Sequence, residues 1–343
     1  MALEQSVLTA DIIRTLLGEY YGLQVRSAER LPLGSANCYR VQTESGTVFL
    51  KEFQSGFSRE NLLREAELVC HLKENGIPTA QFLHTQDGEP YLTYEGHLIC
   101  LQEYVEGEAS GYESFPPEHL TALARMLGRL HRVLKDDSLP VDMGAEWLAA
   151  YSAEGAAAHY DRMMRLAGER ADDPNTLQLL SELQYKKELA YRCGDYAKYF
   201  DGITYCATHG DYQGCQVICG ADGIRAVIDF SSARTLPAVW EVMRSFVQSS
   251  VRCRRDCTID WSELCQYVSA YMEEFSLSEQ DLAAMPYVYL YQLARSKYGF
   301  AQYLSGESED REALLRFALW RTEMCRYLEE HGEEISRRLL ELR

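Results

Sequence analysis

The segment THGDYQGCQVICGADGIRAVIDFSSA, residues 208 to 233, restricts the fold more than any other part of the chain. Two short apolar runs, Val217 to Cys219 and Ala226 to Ile228, flank the turn sequence GADG, which predicts an antiparallel hairpin. The hairpin doubles back, so Asp211 and Asp229, eighteen positions apart, can face one place. Asp229 sits between Val-Ile and Phe, where an unpaired carboxylate is costly unless a cation meets it. A fold that carries this segment needs a cleft into which both acids point.

The remaining pattern divides into two parts. Ile12, Ile13, Leu16 and Leu17 at helical spacing after Thr9 predict an opening helix near residues 8 to 22. RLPLGSANCYRVQTESGTVFLKEF reads as a hairpin turning at ESG, with Lys51 closing the second arm. SRENLLREAELVCHLKENG supplies a Ser58 cap, an apolar stripe and a Gly76 stop, which predict a helix. PYLTYEGHLICLQEYVEGE predicts two more strands, ending at a connector near residue 107. Beyond it the periodicity becomes helical, from PEHLTALARMLGRLHRVL to REALLRFALWRTEMCRYLEEHGEEISRRLLELR. At 343 residues the chain exceeds one ordinary core, so two lobes are expected, at 1–106 and 107–343.

A net charge of -18 argues against nucleic acid or an anionic membrane surface as a partner, since both need a basic footprint. No run approaches the roughly 20 apolar residues of a membrane-spanning helix. A cytoplasmic protein is expected. The eleven cysteines are scattered through apolar surroundings such as LVCHL and LICLQ and read as reduced packing residues.

Phosphoryl transfer needs charge on the phosphates neutralised, a divalent cation held, and a carboxylate beside the acceptor hydroxyl. The order of a strand lysine, a helix glutamate, a His-Gly-Asp loop and a later Asp suits that chemistry. HGDYQGCQ followed by VIDFSSA resembles the catalytic and metal segments of the aminoglycoside phosphotransferase and choline kinase superfamily. LPLGSANCYRV resembles its nucleotide loop, VFLKEF its lysine strand, LLREAELVCHL its glutamate helix, LQEYVEGE its hinge and LARMLGRLH the helix before the catalytic loop. VWEVMRSF resembles the segment after the metal aspartate in homoserine-kinase-like and spore-coat-associated members. The likeness spans roughly residues 30 to 245, and six weak motifs in one order are specific together.

The resemblance implies a bilobal, protein-kinase-like α+β fold: an antiparallel-sheet N-lobe with one helix, then a mainly helical C-lobe. It implies an ATP-dependent small-molecule O-kinase using Mg²⁺, with GTP as an alternative donor. Asp211 would be the base and Asp229 a metal ligand. Gln216 stands where the family usually places a metal-binding asparagine, so a second ligand at altered geometry is expected there. Lys51 would meet the phosphates, oriented by Glu65, with Glu67 as the neighbouring alternative. The loop LGSANC is not GxGxxG, which leaves backbone amides near Gly34 with Ser35 or Asn37 to meet phosphate. Adenine would lie against the hinge near Glu103 and Val105. Gln216 also motivates the competing reading of a non-catalytic or weakly active, spore-coat-like or pseudokinase binding module.

The acceptor is expected to be a small hydroxylated molecule bound by the second lobe. Trp147, Tyr151, Tyr160, Asp161, Trp240, Glu241 and the PYVYLYQ stretch are candidates for its walls. Acidic and aromatic walls would suit a cationic acceptor, and a neutral sugar or homoserine-like one would also fit. Glu241 is expected to brace the catalytic loop instead of touching substrate.

Overall fold

A computed structural model describes residues 4–31, 36–111, 114–135, 152–170, 172–221, 223–306 and 310–343. Gly34, Ser35, Trp147 and Tyr151 lie outside the described residues.

The first part of the chain is an antiparallel sheet with a helix on each face. Strands β1 (Val25–Leu31), β2 (Asn37–Thr43), β3 (Thr47–Glu52), β4 (Phe82–Leu83), β5 (Leu92–Tyr94) and β6 (His97–Glu103) run in the order β1-β2-β3-β6-β4, with β5 also on β6. Helix α1 (Ala10–Tyr21) is capped by Thr9 and packs Ile13, Leu16 and Leu17 on Tyr39, Val41, Leu50 and Leu101. Helix α2 (Arg59–Glu74), capped by Ser58, packs Leu62, Leu68, Val69 and Leu72 with Cys100 and Phe82. The lobe therefore carries both helices that the spacing predicts, one more than the resemblance implied. Alternation along each strand decides which side chains meet which helix. In the β2–β3 ladder Cys38 lies opposite Lys51, and Asn37 lies opposite Glu52.

The second part is mainly helical. It comprises β7 (Glu108–Ala109), α3 (Leu120–Leu134), α4 (Ala153–Gly168), α5 (Thr176–Arg192), β8 (Tyr205–Thr208), β9 (Val217–Gly220), β10 (Gly223–Val227), β11 (Arg234–Pro237), α6 (Ala238–Ser249), α7 (Val251–Asp256), α8 (Trp261–Met272), α9 (Glu279–Arg295), α10 (Phe300–Ser305) and α11 (Arg311–Leu340). The hairpin forms as β9–β10, closing with Gly220 opposite Gly223, and β7 joins its other edge. A small ladder between β8 and β11 holds the two ends of the aspartate segment side by side. Val227 donates to the Pro78 carbonyl at 2.8 Å and Arg129 to the Gly76 carbonyl at 2.8 Å, which tie the two parts together after α2. No described helix is long and apolar enough to cross a membrane.

Candidate active site

Strand β8 delivers His209, Gly210 and Asp211 as a loop whose backbone is held by one buried carboxylate. Glu241, in the first turn of α6, is fully buried and accepts from the N–H groups of His209 (3.0 Å), Gly210 (2.6 Å) and Tyr212 (3.5 Å). His131 of α3 adds its Nε2 at 2.9 Å, and the other ring nitrogen meets the Tyr271 hydroxyl at 2.7 Å. Burial alone would raise the Glu241 pKa. The bond from His131 and nearby positive charge outweigh it and hold the carboxyl below the ordinary range. The brace anticipated for Glu241 is thus the geometry observed.

Gly210 has φ 80°, and a Cβ there would come within 1.9 Å of the Ser232 carbonyl oxygen. Both the left-handed backbone and the close approach require glycine. Gly210→Ala is expected to lower stability by at least about 1–2 kcal/mol, from the left-handed cost alone. Urea denaturation measures this, and an unchanged midpoint would show that the loop yields without cost.

Asp211 is about one-third exposed, with 32% of its side chain open. Its Oδ2 accepts from Gln216 Nε2 at 2.8 Å, and its Oδ1 pairs with the Arg244 guanidinium. Arg244 also donates to the Tyr212 carbonyl at 3.3 Å. Sequence reasoning gave Arg244 no role, although it quoted VWEVMRSF. A lone charge three positions after Glu241, in an otherwise apolar helix, was the available signal.

The second acid is linked to the first through backbone. His209 Nε2 lies 2.9 Å from the Ile228 carbonyl, and Ile228 N donates to the Gln216 carbonyl at 3.0 Å. Asp229 follows in a left-handed conformation, φ 62° and ψ 68°. Its Oδ1 accepts from Lys51 Nζ at 3.0 Å and from Ser231 Oγ at 2.9 Å. Burial would raise the Asp229 pKa, but the Lys51 ammonium outweighs it and keeps the carboxyl low. Lys51 is correspondingly held high: burial disfavours its charge, and Asp229 with Glu65 overcompensates.

Glu65 is 4% exposed, whereas Glu67 faces solvent. The expected Lys51–Glu65 contact is replaced by Lys51–Asp229. Glu65 instead lies by the Phe230 backbone N–H, which favours its ionised form, and its Oε2 has no partner among the described residues. Burial pushes the Glu65 pKa up to about 7, with Lys51 opposing and Asp229 adding. The unfolded chain releases this proton near the ordinary 4.5, so between about pH 4.5 and 7 the native state binds more protons. Stability contributed at this position is therefore lost as pH rises through that window. Glu65→Gln is expected to flatten that part of the pH dependence of urea unfolding, and identical slopes would refute the assignment.

Other expected residues fall elsewhere. Asn37 is 1% exposed, accepts from Arg30 at 2.6 Å and donates to the Glu4 carbonyl at 3.2 Å. It thus shares the α1 face with Glu52, and pleat alternation turns its side chain away from Lys51. Glu103 N donates to the Gln81 carbonyl at 2.8 Å, while its carboxylate meets Lys73 at 3.4 Å. Val105, two residues on, has no hydrogen bond among the described residues. Tyr160 is core: it is fully buried and donates to the Ala294 carbonyl. Asp161 pairs with Lys187 at 2.7 Å. Trp240, Tyr287, Tyr289 and Tyr291 are buried along α6 and α9.

An antiparallel-sheet lobe, a helical lobe and a lysine, glutamate and two aspartates between them define the protein-kinase-like α+β fold of small-molecule kinases. Residues 27–262 match the model of the phosphotransferase enzyme family, and the chain belongs to that family. Solved structures agree on the fold. A spectinomycin phosphotransferase in complex with ADP and spectinomycin superposes with a TM-score of 0.67 at 15% identity, covering 98% of this chain and 100% of that one. A microcompartment-associated aminopropanol kinase gives 0.68 at 16%, with 96% and 99% covered. The ethanolamine kinase of Plasmodium vivax gives 0.56 at 14%, with 92% and 87% covered. No curated protein matches by sequence.

Proposed function

We propose that the chain transfers the γ-phosphoryl group of ATP to a hydroxyl of a small molecule, between an N-lobe of residues 1–106 and a C-lobe of residues 107–343. The observation that carries this reading is the convergence of Lys51 on Asp229 beside a braced loop that presents Asp211. Family membership and neighbours that are small-molecule kinases support it.

Asp229 and Gln216 fit a Mg²⁺ ion. Asp229 Oδ2 and Gln216 Oε1 are hard oxygen donors with no hydrogen-bond partner among the described residues. When bound, the ion would neutralise charge on the nucleotide phosphates. Lys51 would meet the phosphates, with the buried Glu65 carboxyl favouring its charge from beyond contact distance. The Glu103–Val105 segment, exposed at Glu103 and half-buried at Tyr104 and Val105, would border adenine, with Val105 supplying the open backbone amide.

Asp211 accepts the proton of the acceptor hydroxyl as that oxygen forms its bond to the γ-phosphorus. The bond between the γ-phosphorus and the bridging oxygen breaks, and ADP leaves with the electron pair. Arg244 holds the Asp211 carboxylate in place until a hydroxyl arrives. Gln216 fixes the other oxygen, a role open to it because its side chain is one methylene longer than asparagine. A screen of hydroxylated metabolites for Mg²⁺-dependent release of ADP tests the proposal. Absence of turnover together with absence of MgATP binding would remove it.

A further inference from the structure

One face of α6 carries Trp240, Arg244 and Gln248 at four-residue spacing, so the three side chains form a single stripe. Arg244 in its middle reaches Asp211. Trp240 and Gln248 are 4% and 6% exposed, yet Trp240 Nε1 and Gln248 Oε1 have no hydrogen-bond partner among the described residues. Helix α9 packs against α6 and contributes Tyr289, fully buried, whose hydroxyl has the Gln248 side chain beside it without a well-aligned hydrogen bond. Helix α11 packs along α9 and adds Arg321, whose Nε is shut off from solvent without a partner. The Arg321 guanidinium lies 5.5 Å from the Phe317 ring and makes no ion pair among the described residues.

Buried polar groups are almost always satisfied, so four unpartnered ones on three adjoining helices require an explanation. Their charge environment is one-sided. Arg321 and Arg244 both favour the ionised form of the Tyr289 hydroxyl against the effect of burial, and no carboxylate stands among the groups acting on it. Burial, with the like charge of Arg244, pushes the Arg321 pKa below its ordinary value. One turn beyond Tyr289 and Arg321, the buried Lys186 ammonium donates to the Leu293 carbonyl and lies 3.9 Å from Cys325 Sγ. Among the described residues, Arg244, Arg321 and Lys186 follow one another inward from Asp211, and Glu329 acts on Cys325 beyond them.

We propose that this stripe is the acceptor pocket and that it takes a hydroxylated small molecule bearing a carboxylate or phosphate group. The proposal rests on the kinase reading above. Arg321 holds the anionic end, and Gln248, Tyr289 and Trp240 supply neutral hydrogen bonds, while the hydroxyl faces Asp211. A desolvated guanidinium is costly alone and pairs strongly with a planar anion. An ammonium group in the same place would meet two like charges, so the cationic acceptor allowed by the sequence is disfavoured here.

Thermal unfolding of the full chain in saturating MgADP tests this, with glycerate, glycerol 3-phosphate, glycerol, ethanolamine and choline added singly. A further upward shift is expected with glycerate or glycerol 3-phosphate, and none with the other three compounds. Which anion acts separates carboxylate from phosphate recognition. Arg321→Met, which keeps the apolar stem, is expected to weaken the effective anion by about 10- to 100-fold. Tyr289→Phe gives a smaller loss and serves if Arg321→Met does not fold. The proposal is overturned if neither anion shifts unfolding, if a neutral or cationic compound shifts it as much, or if the shift survives intact in the variants. Failure of the kinase reading looks different: MgADP alone then leaves unfolding unchanged while the anion still stabilises.

Discussion

Asp211→Asn is expected to reduce phosphotransfer by about 10²- to 10⁴-fold, the usual contribution of a general base, while MgATP binding stays within a few-fold of the parent. The substitution keeps the shape of the side chain and an oxygen that can accept from Gln216. It removes the negative charge that Arg244 faces and the lone pair that takes the hydroxyl proton. ADP release under saturating nucleotide measures the first effect and a thermal-shift titration with MgATP the second. Turnover within a few-fold of the parent would eliminate Asp211 as the base. Loss of nucleotide binding together with turnover would place the defect in the fold of the loop instead.

Glu241→Ala is expected to be the most destabilising of the single changes considered, by about 3–5 kcal/mol, because it strands buried donors around an emptied site. Those donors are the N–H groups of His209 and Gly210 and the ring of His131. The carboxylate they meet is fully buried. Glu241→Gln keeps one acceptor oxygen and should lose less than Glu241→Ala. Urea denaturation of both variants gives the comparison, and a loss below about 1 kcal/mol for Glu241→Ala would mean that the loop is held by other contacts.

The parts of the molecule legible in the sequence were those specified locally. The β9–β10 hairpin follows from GADG between two apolar runs, and α2 follows from its Ser58 cap and apolar stripe. Placement of Lys51 at the end of β3 was also local. Its partner was not: whether the ammonium meets Glu65 or Asp229 depends on how α2 and the hairpin approach each other across the cleft. Asn37 illustrates a parity problem. Its side of the sheet depends on the β2–β3 register, and a shift of one residue would have put it beside Lys51.

Helices α4 and α5 do not stand out as separate elements in the sequence. Helix α5 buries Lys186 among Leu179, Leu183 and Leu189, so a charged residue interrupts the apolar stripe that periodicity would detect. The small β8–β11 ladder was missed because each strand has four residues and pairs across a long intervening hairpin. Net charge does not report the field at any one interior position. A total of -18 is a sum over the whole surface, whereas Arg244, Arg321 and Lys186 set the local field.

Helix α6 begins with the acid that grips the catalytic loop and continues, one and two turns later, with side chains of the inner stripe. On the proposed reading, machinery and selectivity share one rod, and remodelling that rod to admit a new molecule would disturb the reaction it serves. Diversification of this scaffold, natural or engineered, would then have its freer hand on α9 and α11, which carry Tyr289 and Arg321.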